Sequence, residues 1–96
     1  MNRSEVIDYL AAHKSEFQAK FGVITLALVG SFARDEATDQ SDIDIVVEIQ
    51  SENKFRSYFG LLHELEDTFH RRIDLAVESA LKPLIRQSIT KDAIYL

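Results

Sequence analysis

Two β-like segments stand at a set interval in this chain, and the turn between them restricts what it can fold into. Val23-Ile24-Thr25-Leu26-Ala27-Leu28-Val29 is apolar apart from Thr25 and closes on Gly30-Ser31. Ten residues later, Asp42-Ile43-Asp44 opens a stretch that alternates as far as Glu48. The first run reads as a short strand buried on both faces. The second reads as a strand with Ile43, Ile45 and Val47 on one side and Asp42, Asp44, Val46 and Glu48 on the other. Asp42 and Asp44 therefore leave the same face, with Cβ atoms roughly 7 Å apart.

The remaining elements surround that pair. Ser4 is a candidate cap for a helix carrying Val6, Leu10, Phe17 and Phe21 near a 3.6-residue period, and Gly22 is placed to end it. Ser31 to Glu36 fits a short helical turn, and Thr38-Asp39-Gln40-Ser41 is polar and turn-like. A second long helix is predicted with Phe55, Phe59, Leu62, Leu65 and Phe69 as its apolar, core-facing stripe. Ile73, Leu75 and Val77 alternate with Asp74, Ala76 and Glu78 in a third strand. The segment from Leu81 to Ile94 reads as a helix with Pro83 in its first turn and Leu84, Ile85, Ile89 and Ala93 inward, Ala93 to Leu96 being an alternative short strand. The order helix, strand, short helix, strand, helix, strand, helix predicts a small α/β (α+β) domain, a sheet covered by helices, with residues 1–96 as a single domain.

Bulk properties narrow the function. Net charge is −5, from 11 basic and 16 acidic residues, and only Arg71-Arg72 are adjacent basic residues. Direct nucleic-acid binding is not expected of such a surface, because it lacks the basic face that displaces phosphate counterions. The absence of cysteine excludes disulfides, thiolate zinc sites and thiol catalysis. No apolar run is long enough to span a bilayer. Met1-Asn2-Arg3 leads into the first helix without a signal-like region, so a cytoplasmic location is the default expectation.

The chemistry-bearing candidates converge on the first two strands. Paired carboxylates on one strand face repel unless a cation lies between them, and Asp is a poor strand former. An isolated Asp-x-Asp is nonetheless commonly just a solvated face. Asp74, flanked by Ile73 and Leu75, reaches the same face if its strand pairs beside that of Asp44. Gly30 lets the backbone approach a phosphate, and the Ser31 hydroxyl can donate to one. Arg34 faces the same region one turn on, or pairs with Asp35 or Glu36. The Walker pattern Gly-x-x-x-x-Gly-Lys-[Ser/Thr] is absent. Arg71, Arg72 and Arg86 are read as solvated, with a triphosphate or acidic partner as the alternative. His13, His63 and His70 have no metal-ligand spacing.

Gly30-Ser31, Asp42-x-Asp44 and the later Asp74 together resemble the nucleotidyltransferases of the DNA polymerase β superfamily. The string from Gly30 to Glu48 is most similar to the minimal nucleotidyltransferases, commonly encoded beside a helical HEPN protein as toxin–antitoxin pairs. The resemblance spans nearly the whole chain, including the segment Leu81-Lys82-Pro83-Leu84-Ile85-Arg86. One departure is Asp35, where many relatives have glycine after the arginine.

The resemblance implies a mixed sheet with helices packed on one side. It implies that Asp42 and Asp44 hold two Mg²⁺ ions, that Asp74 completes the site as metal ligand or base, and that Gly30, Ser31 and Arg34 bind the nucleotide phosphates. The implied activity is transfer of AMP from ATP to a tyrosine of a HEPN ribonuclease toxin, which neutralises it. No residue plainly reads the base. The alternatives are an antitoxin that acts by binding alone, a transferase for a small molecule, and a metal-binding module without turnover.

Overall fold

The computed structural model describes all 96 residues. Helix α1 (Arg3–Phe21) is opened by Asn2, not Ser4. The Asn2 side chain accepts from the Glu5 amide at 2.9 Å, and the Glu5 side chain accepts from the Asn2 amide at 3.1 Å. This reciprocal capping box satisfies two otherwise orphaned donors, which a serine inside the first turn cannot do. Gly22 ends α1 in the left-handed region with φ 71°, as the sequence predicts.

β1 (Val23–Val29) runs into α2 (Gly30–Ala33), followed by β2 (Ile43–Ile49), α3 (Lys54–Phe69) and β3 (Ile73–Val77). A 3₁₀ turn over Glu78–Ala80 leads to α4 (Pro83–Thr90), and β4 (Ile94–Tyr95) closes the chain. The sheet order is β3-β2-β1-β4. β1 is antiparallel to β2 and β4, while β2 and β3 are parallel. Parallel neighbours need a crossover, which α3 supplies.

One sheet face carries the core. Leu26 and Leu28 of β1, Ile43, Ile45 and Val47 of β2, and Ile73 and Leu75 of β3 pack with Val6, Leu10 and Phe17 of α1 and Leu61, Leu65 and Phe69 of α3. No polar or charged residue is buried. This is a mixed sheet with its two long helices on one side.

Three packing expectations fail for related reasons. Phe55 and Phe59 are 75% and 40% exposed and stack on each other, with centroids 4.7 Å apart. The stripe that reaches the core is Leu61, Leu65 and Phe69; Phe59 lies about 120° around the helix from Leu65. α4 buries none of its residues, and Leu84 and Ile85 are 80% and 49% exposed. α1 and α3 already cover the core face, so α4 lies outside the core layer. β1 is not closed on both faces at its start: Ile24 is exposed and Thr25 is half-buried, beside an irregularity in the register with β2.

Candidate active site

The strand register brings the carboxylates together on the sheet face opposite the core. Val29 of β1 pairs with Asp44 of β2, and Asp44 pairs with Asp74 of β3. The three form one row across the sheet, and the residue after Val29 is Gly30. Asp42, just before β2, is half-buried, and its Oδ2 lies 3.8 Å from Arg72 Nε.

Gly30 is required twice over. Its φ of 72° lies in the left-handed region, and a Cβ there would stand 2.2 Å from Asp44 Oδ2 and 2.9 Å from its Cγ. The space a side chain would fill is occupied by the Asp44 carboxylate.

Interactions far apart in the chain hold the row. Arg71 Nη1 donates to the carbonyls of Thr38 at 3.2 Å, Asp39 at 3.4 Å and Ser41 at 2.7 Å. The Arg71 guanidinium lies 5.4 Å from the Phe32 ring centroid. The loop that delivers Asp42 is thus tied to the start of β3, and the Ile43 amide donates to the Arg72 carbonyl at 3.1 Å. On the core side, the Tyr58 hydroxyl of α3 donates to the carbonyl of Leu75, next to Asp74. Burial, and then the Asp74 charge, raise the Tyr58 pKa, which keeps this donor protonated.

The electrostatics match a site that concentrates negative charge. Asp44 is pushed up to about 6 by its burial, then by the charges of Asp74 and Asp42 and a shared hydrogen bond with Asp74, with Arg34 opposing. No three carboxyl, imidazole or thiol side chains converge as a ready-made metal position; Asp42 is engaged by Arg72. The donor set is nonetheless the hard-oxygen chemistry that Mg²⁺ takes, with repulsion between the carboxylates that a divalent cation relieves.

A cavity of about 450 Å³ adjoins the row, lined by Val29, Gly30, Arg34, Asp44, Ile45, Val46, Asp74, Ala76, Leu81, Ser88 and Ile89. Of the candidates from sequence, Gly30, Arg34, Asp44 and Asp74 therefore share one wall. Asp42 and Ser31 flank it without lining it. Ser31 follows Gly30 in the first turn of α2 and is half-buried, its carbonyl accepting from the Glu36 amide at 2.8 Å. Arg34 Nε lies 3.6 Å from Glu36 Oε2, so the arginine lines the cavity and pairs with its neighbour at once.

Sequence reading missed the opposite wall, made of Leu81, Ser88 and Ile89. The only local signal for it is that Ser88 and Ile89 follow Ile85 by three and four residues and so share its side of α4. Nothing local says that this side overhangs the sheet. Asp35, the departure from related sequences, has φ 61°. That left-handed conformation is the physical reason glycine suits the position.

Known proteins resemble this arrangement over the whole chain. The family model described as nucleotidyltransferase domain matches residues 10–96. A Methanocaldococcus jannaschii protein provisionally named a protein adenylyltransferase is 39% identical over 94 residues, covering 97% of this chain and 96% of its own. The protein adenylyltransferase MntA of Thermococcus cleftensis is 33% identical over 92 residues, covering 96% and 93%. Among solved structures, one provisionally described as a minimal nucleotidyltransferase superposes with TM-score 0.85 at 28% identity, covering 100% of this chain and 97% of that one. A toxin–antitoxin structure with AMP-PNP shares the fold, with TM-score 0.70 at 19% identity over 99% of this chain and 72% of that one. The strand row, the glycine turn that admits its central carboxylate and the extent of these matches lead to one conclusion: the chain belongs to the nucleotidyltransferase domain family, in its minimal form.

Proposed function

We propose that this chain is a protein adenylyltransferase acting as the antitoxin of a toxin–antitoxin pair, moving AMP from ATP to a tyrosine hydroxyl of a HEPN ribonuclease. The observation that carries the reading is the register Val29–Asp44–Asp74 beside Gly30, which gathers two carboxylates on the wall of a cavity of about 450 Å³. The names of the relatives that match over nearly their full length support protein as the acceptor class.

In this reading Asp42, Asp44 and Asp74 hold Mg²⁺. When bound, the ions neutralise phosphate charge and stabilise the departing pyrophosphate. Gly30 keeps the turn open for a phosphate, with Ser31 and Arg34 as donors to it. The acceptor oxygen attacks the α-phosphorus in line and the bond to pyrophosphate breaks. The hydroxyl proton passes to Asp74, the solvent-exposed member of the row. Asp44 is the enclosed member and stays in place against Gly30.

The test is the intact mass of the partner protein after co-expression with this chain, alongside Asp42→Ala/Asp44→Ala as control. A gain of one or more AMP units that disappears with the double variant is the expected result. A partner that co-purifies unmodified with wild type and variant alike would replace this reading with neutralisation by binding alone.

A further inference from the structure

The wall of the cavity that faces the carboxylates is built from the segment after β3, and apolar packing scarcely holds it. α4 buries no residue, although Ser88 and Ile89 of α4 and Leu81 just before it line the cavity. Polar ties do the holding. Glu78 Oε2 accepts from Arg86 Nη2 of α4 at 3.2 Å, and Glu78 Oε1 accepts from the Tyr95 hydroxyl of β4 at 2.5 Å. The Glu78 side chain is only 14% exposed, against 54% for Arg86. A second carboxylate, Glu48 of β2, accepts from the Ser79 amide and hydroxyl at 2.9 Å each. The 3₁₀ turn is thereby pinned to the sheet by Glu48. Through Glu78 the turn in turn fixes α4 and β4.

Resting on the adenylyltransferase reading, we infer that Glu78 is a positioning residue for nucleotide: with Arg86 and Tyr95 it latches α4 over the cavity and so sets affinity for ATP. Glu78 is not among the residues that line the cavity, so in this inference it acts through α4 and not on the reacting atoms. Charge-assisted bonds from a shielded carboxylate are strong enough to hold a helix that has no buried face of its own. Releasing the latch lets the wall carrying Leu81, Ser88 and Ile89 move away from the sheet. The cost falls on binding, the step in which both walls contact the nucleotide.

The experiment measures the dissociation constant of MgATP by calorimetry, and AMP transfer to the co-expressed partner as a function of ATP. The variants are Arg86→Gln, Tyr95→Phe and the charge swap Glu78→Arg/Arg86→Glu. Arg86→Gln and Tyr95→Phe are each expected to raise both Kd and KM for ATP by about two- to tenfold, the factor for one net hydrogen bond. Their kcat should stay within about twofold of wild type, the signature of lost binding without lost chemistry. The swap should recover part of the lost affinity. If wild type binds MgATP and transfers AMP while Arg86→Gln and Tyr95→Phe leave Kd and KM unchanged, or lower kcat alone, the latch is overturned and the adenylyltransferase reading stands. If wild type binds no MgATP, both fall together.

Discussion

The Asp44 carboxylate lies where a side chain on Gly30 would have to go: a Cβ at position 30 would stand 2.2 Å from Asp44 Oδ2. Gly30→Ala must either swing Asp44 out of the row or move the turn. It also places alanine at φ 72°, a conformation costing about 1–2 kcal/mol. The expected outcome is a folded protein of reduced melting temperature, with AMP transfer down about 100-fold, the scale of a misplacement near 1 Å. Circular dichroism melts and the partner-mass assay check the two parts separately.

Asp44 also ties stability to pH. Its folded pKa of about 6 stands above the ordinary 3.8, so the folded state holds a proton that the unfolded chain has released. Stability from this group is therefore present below about pH 4 and is lost as pH rises through 6. Full shielding would make the loss about 3 kcal/mol; for a half-buried carboxylate, solvent screening lowers the expectation to about 1 kcal/mol. Metal-free melts of wild type and Asp44→Asn at pH 4.5 and 7.5 test it. The variant should be the more stable protein at pH 7.5 and yet inactive.

Mg²⁺ should act as a ligand of the folded state. Raising Mg²⁺ to ten times its dissociation constant at pH 7.5 should stabilise wild type by about 1.4 kcal/mol. Asp44→Asn and Asp74→Asn should lose most of that shift. Equal shifts in all three proteins would remove the carboxylate row as the Mg²⁺ site.

On α3, the exposed and buried stripes predict opposite costs. Phe55 is 75% exposed and Leu61 and Leu65 are fully buried. Phe55→Ala should change unfolding free energy by no more than about 0.5 kcal/mol. Leu61→Ala or Leu65→Ala should cost about 2–5 kcal/mol. Urea titrations of the three variants distinguish the cases.

His70 ends α3 at φ 51°, a left-handed C-cap that glycine adopts without Cβ strain. The side chain is exposed. His70→Gly should add about 0.5–1 kcal/mol of stability and raise the melting temperature by several degrees, with transfer unchanged.

The periods of the strands were legible from residues alone. Alternation put Asp44 and Asp74 on the face away from Ile43, Ile45, Ile73 and Leu75, because strand side chains alternate whatever lies around them, while Asp42, expected on the strand, falls one residue before β2. Gly22 and Gly30 marked the ends of α1 and β1, since positive φ favours glycine. Capping was less legible. Asn2 and Ser4 are both good caps, and the reciprocal contact with Glu5 decides between them. Facing directions on α3 and α4 were not legible, because Phe55, Phe59, Leu84 and Ile85 satisfy a helical period as well as the residues that are buried.

What the sequence by itself determined is the set of local conformations and the residue types they carry: strands, a glycine turn, two aspartates at strand positions and a third just before β2. Only the tertiary structure decided that β2 and β3 pair in parallel with Asp44 opposite Asp74, that Gly30 makes room for Asp44, and that α4 stands over them. The physical reason is range. Backbone propensity and side-chain alternation act within a few residues, whereas strand register and helix docking are settled by which surfaces bury one another across the whole chain.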